Sequence, residues 1–169
     1  APGDGACQDA AGAPGACSLR AAVQEANGWP TADEIAFDPG VTTVALSLAG
    51  DAEDDGATGD LDVIDDVVLD GGGAVTVDAG GIDRAFDVIH GTSEIVGLII
   101  TGGVVTDGVD DAEGGGLRLG GGTLTIRSST LSGNQGPKEH QGRGGAIRVN
   151  GGTLTVVDSR ITGHVSGYG

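Results

Sequence analysis

Four charged residues of this chain share one local setting. Asp62, Asp87, Arg118 and Arg148 are each the middle residue of an apolar triplet: Leu61-Asp62-Val63, Phe86-Asp87-Val88, Leu117-Arg118-Leu119 and Ile147-Arg148-Val149. In an extended segment successive side chains point to opposite faces, so the apolar pair of each triplet turns inward and the charge outward. Stacked at about 4.8 Å per step, the triplets would form a row of acid, acid, base, base. Carboxylates so placed can hold a hard cation such as calcium, and the guanidinium groups can hold an anion. An eliminative polysaccharide lyase needs a base at the sugar C5 proton and positive charge, commonly calcium, on the neighbouring uronate carboxylate. Arg118 or Arg148 would be that base, but a guanidinium pKa lies far above neutrality. Neither Tyr nor His stands in the row to replace it. A hydrolase with Asp62 and Asp87 as paired carboxylates meets a different obstacle, because the adjacent arginines favour ionisation of both and leave no proton donor. The row therefore reads first as a ligand-binding surface.

Other acidic residues add candidate metal ligands. Asp51-Ala52-Glu53-Asp54-Asp55-Gly56, with Asp62 at the twelfth place, has the D-x-E-x-D-G start of a calcium loop, making Asp51, Glu53, Asp55 and Asp62 a candidate set. Asp stands where such a loop ends in Glu, and flanking helices are absent. Asp107, Asp110, Asp111 and Glu113 form a second cluster with weaker spacing. His90, His140 and His164 share no column and read as surface residues. No Ser sits in a nucleophile-elbow context.

The elements that would position these groups follow from an internal repeat. Gly115-Gly116-Leu117-Arg118-Leu119, Gly121-Gly122-Thr123-Leu124-Thr125-Ile126 and Leu131-Ser132-Gly133 return thirty residues later as Gly145-Ala146-Ile147-Arg148-Val149, Gly151-Gly152-Thr153-Leu154-Thr155-Val156 and Ile161-Thr162-Gly163. Fixed-period self-similarity of short strands with glycine corners predicts a parallel β-helix, right-handed, of about five coils. Apolar columns give its register. Ile35-Ala36-Phe37 and the four triplets align as first strands. Leu69, Ile95, Ile126 and Val156 form a second column, and Val75, Ile100, Leu131 and Ile161 a third. The longest insertions, Asp51 to Asp60, Gly102 to Glu113 and Gln135 to Arg143, enter just before the first sheet and would wall a groove over the charge row. The stacked T-x-T rungs at Thr123 and Thr153 read as ordinary exposed β-formers.

Composition agrees with a solenoid of small side chains. The chain of 169 residues has 35 glycines, 2% aromatic residues and no Met, while its 38% apolar content is too high for disorder. Net charge is −17 with no basic stripe, which argues against nucleic acid as a partner. No apolar run reaches membrane length. Cys7 and Cys17, the only cysteines, are expected to form a disulfide in an oxidising compartment. Behind the N-cap Ser18, Leu19, Ala22, Val23 and Ala26 recur at helical spacing, predicting a short helix that ends near Asn27-Gly28 and plugs the first coil. The expected organisation is a disulfide-pinned cap over residues 1–33 and coils over 34–169, the C-terminal coil uncapped.

Cys17-Ser18-Leu19-Arg20-Ala21-Ala22-Val23-Gln24-Glu25-Ala26-Asn27, followed by Asp33-Glu34-Ile35-Ala36-Phe37, resembles the CSLREA-type N-terminal segment of secreted bacterial and archaeal β-helix proteins. Gly59-Asp60-Leu61-Asp62-Val63 and Ser132-Gly133-Asn134 are similar to the same group, although Ala21 stands where its motif has Glu. The group is similar in fold to polymorphic outer-membrane proteins and to the pectate-lyase-like superfamily. The resemblance implies a secreted or cell-surface β-helix and no particular activity. The resulting expectation is an exported structural or binding module that meets a polysaccharide or protein partner through Asp62, Asp87, Arg118 and Arg148, with calcium as its candidate cofactor. The alternatives are a calcium-dependent polysaccharide lyase on the same surface, and self-association or partner binding through the open C-terminal coil.

Overall fold

The computed structural model describes Cys7 and residues 17–50, 54–106, 113–138 and 144–166, the Ala74 side chain excepted. Helix α1, Leu19–Gly28, begins where expected: the Ser18 hydroxyl accepts a hydrogen bond from the Ala21 amide at 3.2 Å. That bond satisfies one of the amides a first helical turn leaves without a partner. Leu19, Val23 and Ala26 are its buried face. Cys7 and Cys17 are joined as a disulfide ahead of it, with Cα atoms 5.4 Å apart.

Among the described residues twelve strands follow, all paired in parallel: β1 (Asp33–Ala36), β2 (Thr43–Ala45), β3 (Leu61–Val63), β4 (Val67–Asp78), β5 (Phe86–Val88), β6 (Thr92–Thr101), β7 (Leu117–Leu119), β8 (Thr123–Arg127), β9 (Thr130–Ser132), β10 (Ile147–Val149), β11 (Thr153–Val157) and β12 (Arg160–Thr162). They stack as a parallel β-solenoid of about four turns. One sheet runs β3-β5-β7-β10, and a larger one runs β1-β4-β6-β8-β11 with β2, β9 and β12 extending it around a bend. Leu61, Val63, Phe86, Val88, Leu117 and Leu119 point from the four-stranded sheet into the core. Leu69, Ile95, Ile126, Ile100 and Leu131 meet them from the larger sheet.

Two details of the expected register are corrected. Ile35 pairs with Leu69 in the larger sheet, so Ile35-Ala36-Phe37 is not a first strand of the four-stranded sheet, and the solenoid has about four turns rather than five. The place above β3 is taken by α1, where the Asn27 amide donates to the Asp62 carbonyl at 2.7 Å and accepts from the Ile64 amide at 3.0 Å. One side chain thereby satisfies backbone groups that another strand would otherwise have paired. In the third column Ile100 pairs with Val77, not Val75, because Gly71-Gly72-Gly73-Ala74 interrupts the register inside β4. The remaining pairs, Leu69 to Ile95, Ile95 to Ile126, Ile126 to Val156, Ile100 to Leu131 and Leu131 to Ile161, are as the columns predict.

Glycines are required where corners stack. Gly91, Gly122 and Gly152 occupy successive turns with φ of +81°, +72° and +77°. A Cβ on Gly122 would collide with the Gly91 carbonyl, and one on Gly152 with the Gly122 carbonyl. In the last described turn Val149, Val156, Ile161 and Val165 are exposed.

Candidate functional site

The four-stranded sheet brings the four charged residues into one row. Asp62 is in register with Asp87, Asp87 with Arg118, and Arg118 with Arg148. The row is not an open groove floor. Asp62 and Asp87 are 1% exposed and Arg118 8%, whereas the Arg148 side chain is 37% exposed. Residues 54–60, the described part of the first insertion, account for this cover at the acidic end: the Gly56 amide donates to Asp62 Oδ2 at 2.7 Å, and Asp54 Oδ1 lies 3.7 Å from Arg118 Nη2.

The polar face of α1 holds that segment down. Arg20 Nη1 donates to the carbonyls of Gly56, Thr58 and Asp60 at 2.8, 3.1 and 2.7 Å, and its Nη2 donates to the Gly59 carbonyl at 2.6 Å. Gln24 Nε2 adds a bond to the Gly56 carbonyl at 3.0 Å. Arg20, Gln24 and Asn27 follow the spacing of one helix face. The polar face of the helix is thus a docking face. Its signal was available in the polar residues of a helix expected to plug a coil, since such a helix has two neighbours to satisfy.

Within the row Arg118 directs both Nε, at 2.9 Å, and Nη2 to the same oxygen, Asp87 Oδ2. At the exposed end Arg148 Nε donates to Asn150 Oδ1 at 2.6 Å and lies 3.5 Å from Glu113 Oε2, which also accepts a short hydrogen bond from Asn150 Nδ2. Among the described residues the terminal nitrogens of Arg148 take part in no hydrogen bond.

A second buried charged group lies beside the row and was not anticipated. Asp60, Asp83 and Arg84 are 5%, 8% and 6% exposed. Arg84 Nε is 2.8 Å from Asp60 Oδ2 and 3.6 Å from Asp83 Oδ1, and its Nη1 donates to the Glu113 carbonyl at 3.1 Å. Burial pushes the Asp60 carboxyl from 3.8 up to about 8, against the pull of Arg84 and with the added push of Asp83, Asp62 and Asp87. Nothing in the sequence flags these residues beyond their nearness to the ends of apolar strands.

Of the predicted calcium set, Asp51 and Glu53 lie outside the described residues, and Asp55 and Asp62 lie within them. A different acidic group is formed by Asp54, Asp62 and Asp87. Of the second cluster, Asp107, Asp110 and Asp111 lie outside the described residues, while Glu113 is buried at Arg148 and Asn150. His140 is also outside. His164, expected at the surface, is half-buried: Nδ1 accepts from the Asn134 amide at 3.3 Å and Nε2 sits 3.0 Å from the Leu131 carbonyl. It occupies the place that Asn134 fills one coil earlier, where Asn134 Nδ2 donates to the Ile100 carbonyl.

What the fold and site define is a parallel β-solenoid with a helical cap, carrying on one sheet a charge row that is roofed at its acidic end and open at Arg148. No family model, curated protein or solved structure matches the chain. Among the described residues no helix is long and apolar enough to cross a membrane.

Proposed function

We propose that this chain is an exported β-solenoid binding module that contacts an anionic glycan through the open end of its four-stranded sheet. The observation that carries this reading is Arg148, whose Nε is fixed by Asn150 while its terminal nitrogens project from a rigid ladder. A planar guanidinium presented in this way suits the two oxygens of a uronate carboxylate. Export is supported by the Cys7–Cys17 disulfide and by the resemblance of residues 17–27 to the N-terminal segment of secreted β-helix proteins. Binding is favoured over lyase chemistry because Asp62, Asp87 and Arg118 are covered and engage one another or the 54–60 segment.

A panel of neutral and anionic polysaccharides, with and without calcium, tests this reading by retention on affinity gels and by absorbance of unsaturated uronate. Retention of the wild type on anionic gels, lost in Arg148→Ala, is the expected outcome. Growth of absorbance would replace the binding module with a lyase, and retention unchanged in the variant would remove Arg148 from the surface. A second reading, assembly through the last coil, is favoured by the exposed Val149, Val156 and Ile161. It requires a concentration-dependent mass that Ile161→Glu abolishes.

A further inference from the structure

At the covered end of the row, Asp54, Asp62 and Asp87 each offer a carboxylate oxygen, and the three oxygens lie within 4.8 Å of one another. We propose that these residues form a calcium site that fastens the 54–60 segment to the four-stranded sheet, a role independent of the glycan reading. The set differs from the calcium-loop pattern in the sequence. It shares only Asp62, takes Asp54 from the same acidic stretch, and recruits Asp87 from the next strand.

The first support is the state of Asp87. An arginine normally spreads its fork over both oxygens of a carboxylate. Here Arg118 loads Nε and Nη2 onto Oδ2 alone, and Asp87 Oδ1 is left buried with no hydrogen-bond partner. A carboxylate oxygen sealed from water in this way is costly, and a cation at the cluster would relieve it.

Charge balance points the same way. Asp54, Asp62 and Asp87 bring three negative charges, and Arg118, hydrogen-bonded to Asp87 and 3.7 Å from Asp54, returns one. The remainder matches one divalent ion.

Ligand chemistry selects the ion. Magnesium demands a near-ideal octahedron at about 2.0–2.1 Å, whereas calcium accepts six to eight oxygens at about 2.3–2.6 Å in irregular arrangements and so suits carboxylates whose positions the sheet sets. The donors are all carboxylates, without the His or Cys that zinc or copper favours. Asp62 and Asp87 stand on neighbouring strands as fixed ligands, Asp62 being further held by the Gly56 amide. Asp54 is 70% exposed, so its side leaves room for the waters that complete a shell of six to eight oxygens. An ion there would join two strands of the sheet to the segment that Arg20 grips from the helix.

The test is calorimetric titration of the chelator-stripped full chain with calcium chloride, paired with thermal unfolding in calcium and in EDTA. One saturable site is expected, and calcium at a hundredfold above its dissociation constant should raise the folded-to-unfolded ratio about 100-fold. Asp54→Asn, at an exposed position, should fold as the wild type does in EDTA and bind calcium at least about tenfold more weakly, since even groups that only orient a metal's ligands weaken binding by about tenfold or more when lost. Asp87→Asn should lose the calcium response. The site is overturned if the wild type shows no calcium-dependent heat or stabilisation, or if Asp54→Asn binds calcium as tightly as the wild type. An equal response to magnesium would overturn the choice of ion.

Discussion

Replacing Arg20 with alanine tests whether the helical cap holds the covered end of the charge row. The guanidinium donates to four carbonyls of residues 56–60 at 2.6 to 3.1 Å. A hydrogen bond from a charged donor contributes about 1.5–3 kcal/mol, so four independent ones would give at least about 6 kcal/mol. They are not independent. Nη1 serves three acceptors at once and the group is only partly buried, so water recovers much of the loss. About 3 kcal/mol is the expected destabilisation of Arg20→Ala. With a urea m-value of about 2 kcal/mol/M, that moves the unfolding midpoint down by about 1.5 M. Arg20→Lys should recover less than half, because an ammonium cannot span carbonyls that the planar fork reaches together. Gln24→Ala, which deletes one bond to the same Gly56 carbonyl, should cost about 1 kcal/mol and serves as the scale. If Arg20→Ala unfolds within about 0.5 kcal/mol of the wild type, the ordinary range for an uninvolved surface residue, the cap does not hold the segment through Arg20 and the reasoning fails.

Arg118→Met would strand the buried Asp87 carboxylate and should destabilise by about 3–5 kcal/mol, while the double variant with Asp87→Leu should regain most of it; equal melting of the single and double variants would contradict a buried pair. Gly122→Ala combines a positive φ with a collision against the Gly91 carbonyl and should cost more than about 2 kcal/mol by urea unfolding. Gly40→Ala, also at positive φ but with open space around it, should cost only about 1 kcal/mol, and equal losses would mean that the corner stack is not tight. Because burial raises Asp60 to about 8, between the ordinary 3.8 and that value the folded chain holds a proton that the unfolded chain has already released. This contribution is complete below the lower value and is lost as pH rises through about 8, with a slope of at most about 1.4 kcal/mol per pH unit. Unfolding measured in EDTA from pH 5 to 9 should show that decline, Asp60→Asn should flatten it, and a variant profile parallel to the wild type would assign the proton elsewhere.

Strand positions were legible because two residues in each triplet must face one core. The thirty-residue repeat fixes the last two coils, and the Leu69, Ile95, Ile126 and Val156 column carries the register back through the others. It failed at Ile35 for a physical reason. Ile35-Ala36-Phe37 has the same apolar, small, apolar pattern as a first strand, and only the helix standing above β3 decides that it belongs to the other sheet. Val75 failed similarly. Four small residues at 71–74 can be absorbed as a turn or as an interruption within one strand, and the columns on either side look alike in both cases.

The charge row was legible as an alignment but not as an environment. Alternation states that Asp62, Asp87 and Arg118 leave the core; it says nothing of what lies outside them. Their cover comes from residues 54–60, whose sequence is acidic and glycine-rich and by composition reads as solvated. What overrides composition is a long-range contact of 36 to 40 residues, in which Arg20 gathers the carbonyls of that segment, together with the local bond by which Asp62 takes its Gly56 amide. The outcome divides the sheet by depth. At the capped end, like-charged carboxylates are brought together in a covered setting where a cation is the economical neutraliser, whereas at Arg148 the same ladder leaves a guanidinium facing water. Two ligands of opposite charge can therefore use one sheet without competing, which is why loss of calcium binding in Asp54→Asn and loss of glycan retention in Arg148→Ala should be separable in the same protein.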